Sequence, residues 1–78
     1  MEKISRAARK GQVKKVAKLI ERGVNIDIRE MNETPLWSSA ERGHTEVVKL
    51  LLEAGAEVDK TCFGTTPLWV AAERGRIE

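Results

Sequence analysis

The chain is poor in the residue types that catalysis, metal binding and disulfide bonding require. Its 78 residues include one histidine, one cysteine and no tyrosine. A single cysteine, Cys62, excludes an internal disulfide, and no second cysteine accompanies it to suggest zinc. His44 has no serine or cysteine at a spacing that suggests a nucleophile. We therefore expect a non-enzyme with no metal, no cofactor and no small-molecule substrate.

Long apolar stretches are also missing. No run approaches the roughly 18 apolar residues of a membrane span, and the first residues lack the apolar core of a signal peptide. The glycines form no phosphate-cradling pattern, and the glutamates form no paired-carboxylate motif. These absences lead us to expect an intracellular protein, cytoplasmic or nuclear, with no membrane span.

Basic charge is concentrated at one end of the chain. Residues 1–23 hold eight Lys or Arg against two Glu, a net charge of +6, whereas the other 55 residues hold six basic and ten acidic side chains, a net charge of −4. Clustered Lys and Arg attract nucleic-acid phosphates and anionic membranes whatever the sequence. No motif known to read nucleic acid overlaps this segment, so we do not expect a nucleic-acid partner.

The chain does contain one motif twice, 32 residues apart. Residues 34–37 and 66–69 both read Thr-Pro-Leu-Trp, and residues 40–43 and 72–75 both read Ala-Glu-Arg-Gly. A period of this size is typical of a solenoid, in which each repeat is one supersecondary unit that buries its apolar face only by stacking on a neighbour. Binding residues are then expected on the outside of the stack.

The complete copy of the repeat predicts two short helices. Thr34 is a good N-cap and Pro35 suits the first helical position, so a helix is expected over about 35–42. Thr45 is a second candidate N-cap, and the apolar residues after it have helical spacing as far as Gly55. The segment from there to the next Thr-Pro is too short for a helix and predicts a turn or hairpin.

A degenerate first copy precedes the complete one. Its Lys15 and Lys18 stand where the complete copy has Val47 and Leu50, so a face that is apolar inside the stack is charged here. A terminal repeat needs such a polar face where it meets water. We therefore predict one domain over residues 1–78, with a capping repeat (1–23), a complete repeat (24–55) and a truncated repeat (56–78).

The order of these motifs resembles the ankyrin repeat family. Thr-Pro-Leu-X-X-X-Ala, then Gly-His, then Glu-Val-Val-Lys-Leu-Leu-Leu-Glu-Ala-Gly-Ala-Glu-Val-Asp cover residues 34–59, and parts of this pattern recur on both sides. The ankyrin unit is a β-turn plus two helices in 33 residues. The resemblance implies an all-α solenoid of antiparallel helix pairs joined by short β-turn or hairpin fingers, with inner helices and fingertips lining a concave face.

Two features depart from the family pattern. Because the step is 32 residues, one residue is missing from each connection between the helix pairs, and we expect the fingers to be short or differently turned. Trp37 and Trp69 occupy the position of the family's usual His. Two interpretations stay open for them: packing beneath the fingers or against each other, or an exposed aromatic platform for a partner.

The resemblance implies a non-catalytic module that binds a protein partner, which the sequence does not identify. Residues 32 apart stack into columns: Arg9, Glu41 and Glu73 form one, and Lys10, Arg42 and Arg74 form the next. The columns are either a charged binding strip or solvated surface with weak ion pairs. Cys62 is either a small residue tolerated at a finger tip or an exposed contact. The predicted partner-binding residues are Arg29, Met31, Glu33, Trp37, Glu41, Arg42, Phe63, Trp69, Glu73 and Arg74.

A second hypothesis is structural. The third copy stops before its outer helix, which leaves apolar residues of its inner helix without a partner. The chain would then self-associate or exchange helices through this open end and form a homo-oligomer. The predicted self-association residues are Leu68, Val70, Ala71, Ala72 and Ile77.

Overall fold

Two rows of short helices make up the part of the chain, residues 3–75, that the computed structural model describes. The inner row consists of α1, α3 and α5, and α3 packs against both of the others. The outer row consists of α2 and α4, each packed on the inner helix that precedes it. None of the helices in the described part is long and apolar enough to cross a membrane. The all-α solenoid is confirmed, with α1 Ile4–Lys10, α2 Val13–Glu21, α3 Pro35–Glu41, α4 Thr45–Glu53 and α5 Pro67–Glu73.

Threonine caps start the inner helices α3 and α5, as the sequence predicts. The hydroxyl of Thr34 accepts a hydrogen bond from the backbone N–H of Trp37 at 3.3 Å. Thr66 does the same for Trp69 at 3.2 Å. In both helices proline occupies the first turn, where its missing N–H leaves no acceptor unsatisfied.

The start of α4 differs by one residue from the prediction. The N-cap is His44, and Thr45 is the first helical residue rather than the cap. The Thr45 hydroxyl points back to the carbonyl of Gly43 at 3.5 Å and caps no N–H of the helix. His44 is held in the cap position because its ring makes a contact with the preceding repeat.

That contact closes the junction between the first and second repeats. His44 Nε2 lies 3.0 Å from the carbonyl oxygen of Arg9. The imidazole covers Gly11 so closely that a Cβ there would lie 2.6 Å from its Nδ1. Gly11 also has a left-handed φ of 73°, which glycine adopts without steric cost. Gly11 therefore has two roles: it adopts the left-handed turn after α1, and its missing side chain lets His44 of the next repeat pack against it.

Each finger is a two-residue turn closed by an isolated antiparallel bridge, over residues 30–33 in finger 1 and 62–65 in finger 2. The central residues have φ values of 52° and 65° in finger 1, and 54° and 78° in finger 2. Positive φ at both central positions defines the type I′ turn, whose twist suits a tight hairpin. The short fingers expected from the 32-residue step are thus hairpin tips of minimal length.

The buried apolar residues form two clusters, which lie one after the other along the stack. The first joins repeats one and two, and the second lies beneath finger 2; Val48 packs against both. Because each cluster takes residues from two successive repeats, neither repeat can form it alone. The first cluster contains Ile4, Ala7, Ala8, Val16, Leu19, Leu36, Val47, Leu51 and Ala56, and the second Trp37, Ala40, Cys62, Val70 and Ala71.

Four residues that the sequence analysis placed at contact positions are buried. Trp37 is 4% exposed because finger 2 covers it, so it is not a surface anchor for a partner. Val70 and Ala71 are 3% and 6% exposed because they lie in the cluster shared with Trp37, although Ala71 also lines an apolar groove between α3, α4 and α5. Cys62 is 1% exposed and is not an exposed fingertip contact. Ile77, also predicted for self-association, lies outside the described residues.

The junction predicts a difference between two glycine substitutions. Gly11→Ala and Gly23→Ala both force alanine into a left-handed φ, 73° and 78°, at a cost of about 1–2 kcal/mol. Only at Gly11 does the new methyl group meet a side chain, because nothing lies within 4 Å at Gly23. We expect Gly11→Ala to lower the free energy of unfolding by about 1 kcal/mol or more beyond Gly23→Ala, measured by urea denaturation with circular dichroism.

The control is the same pair of substitutions in a His44→Ala background. With the imidazole gone, the two alanine variants should lose similar amounts of stability. Equal losses already in the wild-type background would contradict the proposed contact between His44 and Gly11.

Candidate partner-binding face

A charged ladder crosses the inner face, which we define as the surface formed by α1, α3, α5 and the two fingers. Arg9 Nε lies 3.9 Å from Glu33 Oε1, and Arg42 Nη1 lies 3.5 Å from the same oxygen. Arg42 Nη1 also contacts Glu41 Oε1 at 2.9 Å. Glu41 Oε2 in turn contacts Arg74 Nη2 at 2.9 Å. The ladder, these five residues, therefore links all three repeats.

The ladder exposes its cations more than its anions. The carboxylate side chains of Glu33 and Glu41 are 14% and 16% exposed, whereas those of Arg42 and Arg74 are 35% and 53% exposed. Ion pairs this close to water contribute about 0–1 kcal/mol each. The pairs therefore do little to hold the fold, and their main effect is to fix the outward direction of the guanidinium groups.

The two fingers are tied to each other by polar contacts one repeat apart. Arg29 Nη1 donates to the carbonyl of Thr61 at 2.7 Å and lies 3.6 Å from Cys62 Sγ. The Asp27 carboxylate accepts from the backbone N–H of Glu57 at 2.9 Å. Arg29, a predicted partner contact, thus orients finger 2, although its side chain remains at the surface.

Apolar side chains stand out from the fingertips and from α5. Met31 is 78% exposed, Phe63 62% and Trp69 53%. The Phe63 ring rests on buried Trp37, with 5.3 Å between ring centroids and 49° between the planes. Trp37 is held by its indole N–H, which donates to the Thr65 hydroxyl at 3.0 Å. Trp37 therefore contributes to the face indirectly, as the support beneath Phe63.

A basic hollow lies beside α1 at the N-terminal end of the inner face. It has a volume of about 820 Å³ and opens between α1 and finger 1. Four of its lining residues are basic and one is acidic. We call it the N-terminal hollow; it is lined by Lys3, Ser5, Arg6, Arg9, Lys10, Glu30 and Met31.

The single carboxylate of the hollow is neutralised from two sides. The Ser5 hydroxyl donates to Glu30 Oε1, and Lys3 Nζ lies 2.9 Å from Glu30 Oε2. These hydrogen bonds, that from Ser5 first and that from Lys3 second, lower the pKa of Glu30. The stability they add is present above the pKa of glutamate in the unfolded chain and is lost as the pH falls through the lowered folded pKa.

Comparison with known proteins agrees with this architecture. A family model described as ankyrin repeats, in three copies, matches residues 4–78. The chain belongs to the ankyrin repeat family. In a crystal structure, the human ASB11 ankyrin repeat domain is similar to it, with a TM-score of 0.87 and 32% sequence identity over 97% of this chain and 35% of that one. No functionally curated protein matches the chain.

Membership of the family confirms the resemblance and carries a general function. Ankyrin repeats are generally protein–protein interaction modules and are generally not catalytic. In residues 3–75 no three His, Cys, Asp or Glu side chains are grouped so that they could hold a metal ion. The chain spans about a third of the ASB11 domain it resembles, so the partner of that longer protein does not transfer to this one.

Most of the predicted partner-binding residues of this ankyrin chain lie near one another. The ladder brings together Glu33, Glu41, Arg42 and Arg74, and the fingertips add Met31 to this surface. The remaining members are placed as follows: Phe63 is an exposed tip, Arg29 holds finger 2, Trp69 and Glu73 are exposed on α5, and Trp37 is buried.

Sequence reasoning missed the N-terminal hollow. Its acidic member, Glu30, pairs with residues 25 and 27 positions earlier, which is not the 32-residue column spacing. One feature of the sequence could have located the hollow: position 5 is Ser, whereas the equivalent positions one and two repeats later are Trp37 and Trp69. A small polar residue in a column of tryptophans indicates that the surface beside finger 1 differs from that beside finger 2.

Proposed function

We propose that this ankyrin chain is a non-catalytic module that binds a protein partner on its inner face, through the ladder and the fingertips. The observation that supports this most is the combination of exposed apolar tips with outward guanidinium groups. Aromatic residues, Met and Arg are the types enriched at protein interfaces. Met31, Phe63 and Arg74 are all exposed on this one face.

The face is held in shape before a partner arrives. The tips are fixed by type I′ turns, Phe63 rests on Trp37, and the guanidinium of Arg42 is oriented by two carboxylates. Side chains that are already ordered lose little conformational entropy on binding. We propose an intracellular site of action, because the ankyrin family generally works there.

The proposal predicts the effect of removing the exposed groups. A variant with Met31→Ala, Phe63→Ala, Arg42→Ala and Arg74→Ala should lose about tenfold or more of its bound partner, since interface anchors of these types carry most of the binding energy. The measurement is affinity capture from cell extract with quantitative mass spectrometry, at matched salt. Proteins that wild type enriches and the variant does not would be the partners.

The matched control substitutes exposed residues of the outer row, Lys49→Ala and Glu53→Ala. It should capture the same proteins as wild type, and circular dichroism should show that all variants keep their helices. Unchanged capture by the inner-face variant would disprove the assignment of the surface.

A second candidate function, self-association, is favoured by an apolar groove at the C-terminal end. The groove has a volume of about 560 Å³ and opens between α3, α4 and α5. Leu52, Val58 and Leu68 line it while 45%, 52% and 69% exposed. Ala72 is also exposed on α5. A second copy of the chain, docked here or exchanging a helix, would cover this surface.

Self-association predicts a concentration-dependent mass. We expect Leu68→Glu to abolish any dimer, because a carboxylate in the groove would have to be desolvated. Met31→Glu is the matched control, since Met31 is equally apolar and exposed but does not line the groove. The measurement is sedimentation velocity at several protein concentrations. A wild-type chain that stays monomeric at every concentration would contradict this second function.

A further inference from the structure

The position shared by Ser5, Trp37 and Trp69 determines what lies beneath each finger. These residues are 32 apart and occur at the same place in their inner helices. In the second repeat, the Trp37 indole lies under finger 2 and bonds to Thr65. In the first repeat, the buried Ser5 hydroxyl reaches finger 1 at Glu30.

The change from tryptophan to serine removes an aromatic ring from the first repeat. Serine satisfies the polar contact with the finger but has none of the ring volume that supports Phe63 in the second repeat. The Glu30 side chain lies against Ser5, which is 2% exposed, and the N-terminal hollow lies over this pair with Met31 at its edge. An aromatic ring from another molecule could therefore lie in the hollow beside finger 1, next to Met31, the residue equivalent to Phe63.

The lining of the hollow indicates the chemistry of that molecule. Met31 offers an exposed thioether, and thioethers pack favourably against aromatic rings. The Arg9 guanidinium lies beside it, with Nη2 3.6 Å from Met31 Sδ, and guanidinium groups attract aromatic faces. The exposed Arg6 and Lys10 remain as cations for carboxylates of the ligand.

The neighbouring surface favours a short acidic peptide over nucleic acid. Beyond the hollow the inner face offers no continuous basic track to a polyphosphate chain, because Arg42 and Arg74 are already paired with the carboxylates of Glu33 and Glu41. The next acidic residue, Glu73, is exposed on α5. A peptide can place its carboxylates at the hollow. Beyond the hollow it can end, or continue with residues that are not acidic. The basic part of the inner face can therefore bind only a few residues of a ligand.

We propose that the N-terminal hollow binds an aromatic side chain flanked by Asp or Glu in a disordered segment of the protein partner. The ring occupies the hollow beside Met31 and the Arg9 guanidinium, and the flanking carboxylates pair with Arg6 and Lys10. This inference rests on the proposed function and names the chemistry of part of the partner.

The test is fluorescence anisotropy with a short fluorescein-labelled peptide in which Asp and Glu flank a central Trp. We expect saturable binding that weakens as salt is raised. Replacing the Trp of the peptide by Ala, or its acidic residues by Asn and Gln, should weaken binding about tenfold or more, which corresponds to about 1.4 kcal/mol. Equal binding of either altered peptide, or no binding of the original one at low salt, would overturn the proposal.

Two variants of the protein locate the binding site. Arg6→Glu with Lys10→Glu should weaken peptide binding about tenfold or more, whereas Lys14→Glu with Lys18→Glu, an equal change of charge on α2, should have a much smaller effect. Ser5→Trp should also block the peptide by filling the hollow. If Ser5→Trp does not fold, as judged by circular dichroism, the charge variants still decide the outcome. Equal losses in the two charge variants would overturn the location.

A labelled oligothymidylate with the same charge as the peptide tests the other class of ligand. We expect it to bind more weakly than the peptide; binding as tight as that of the peptide would overturn the assignment to a protein segment. The proposed function is tested separately by partner capture with a variant that carries only Phe63→Ala and Arg74→Ala, because neither residue lines the hollow. If the peptide does not bind but partner capture still depends on Phe63 and Arg74, only this inference is rejected.

Discussion

The packing of α3 between α1 and α5 is the contact on which the other features of the molecule depend. Every residue from 34 to 40 is buried, although α3 is only seven residues long. Stacking on both sides gives this helix the burial that its own repeat cannot supply. The positions of the fingers, the ladder and the two apolar clusters all follow from it, because each joins residues of successive repeats.

The residues that stabilise the stack are not the residues that are exposed on the inner face. Apolar burial and the His44 contact over Gly11 set the spacing of the repeats. The ion pairs of the ladder contribute little energy at their exposure but give the guanidinium groups one direction. A surface built this way can vary in charge and in its apolar tips without a large change in the stack, which suits a family whose members share a scaffold and differ in partner.

The fold and part of the face could be predicted from the sequence because both repeat with a fixed step. Thr34 and Thr66 start helices through local capping. The 32-residue step predicts neighbouring columns of charge, and Glu41 of one column pairs with Arg74 of the next. The rest depended on contacts that the period does not encode. Trp37 is buried because finger 2 folds over it, His44 replaces Thr45 as the cap because its ring bonds to another repeat, and Ser5 pairs with Glu30 outside the column spacing.

The stack fixes the shape of the inner face before any partner is present. Native-state hydrogen exchange, read amide by amide by NMR, tests this most directly. The backbone N–H groups of Glu30, Glu33, Cys62 and Thr65, which close the two fingers at 2.8–3.1 Å, should exchange about 100-fold or more slowly than in an unfolded chain. Exchange of these four amides at the unfolded rate, while α3 stays protected, would contradict the claim.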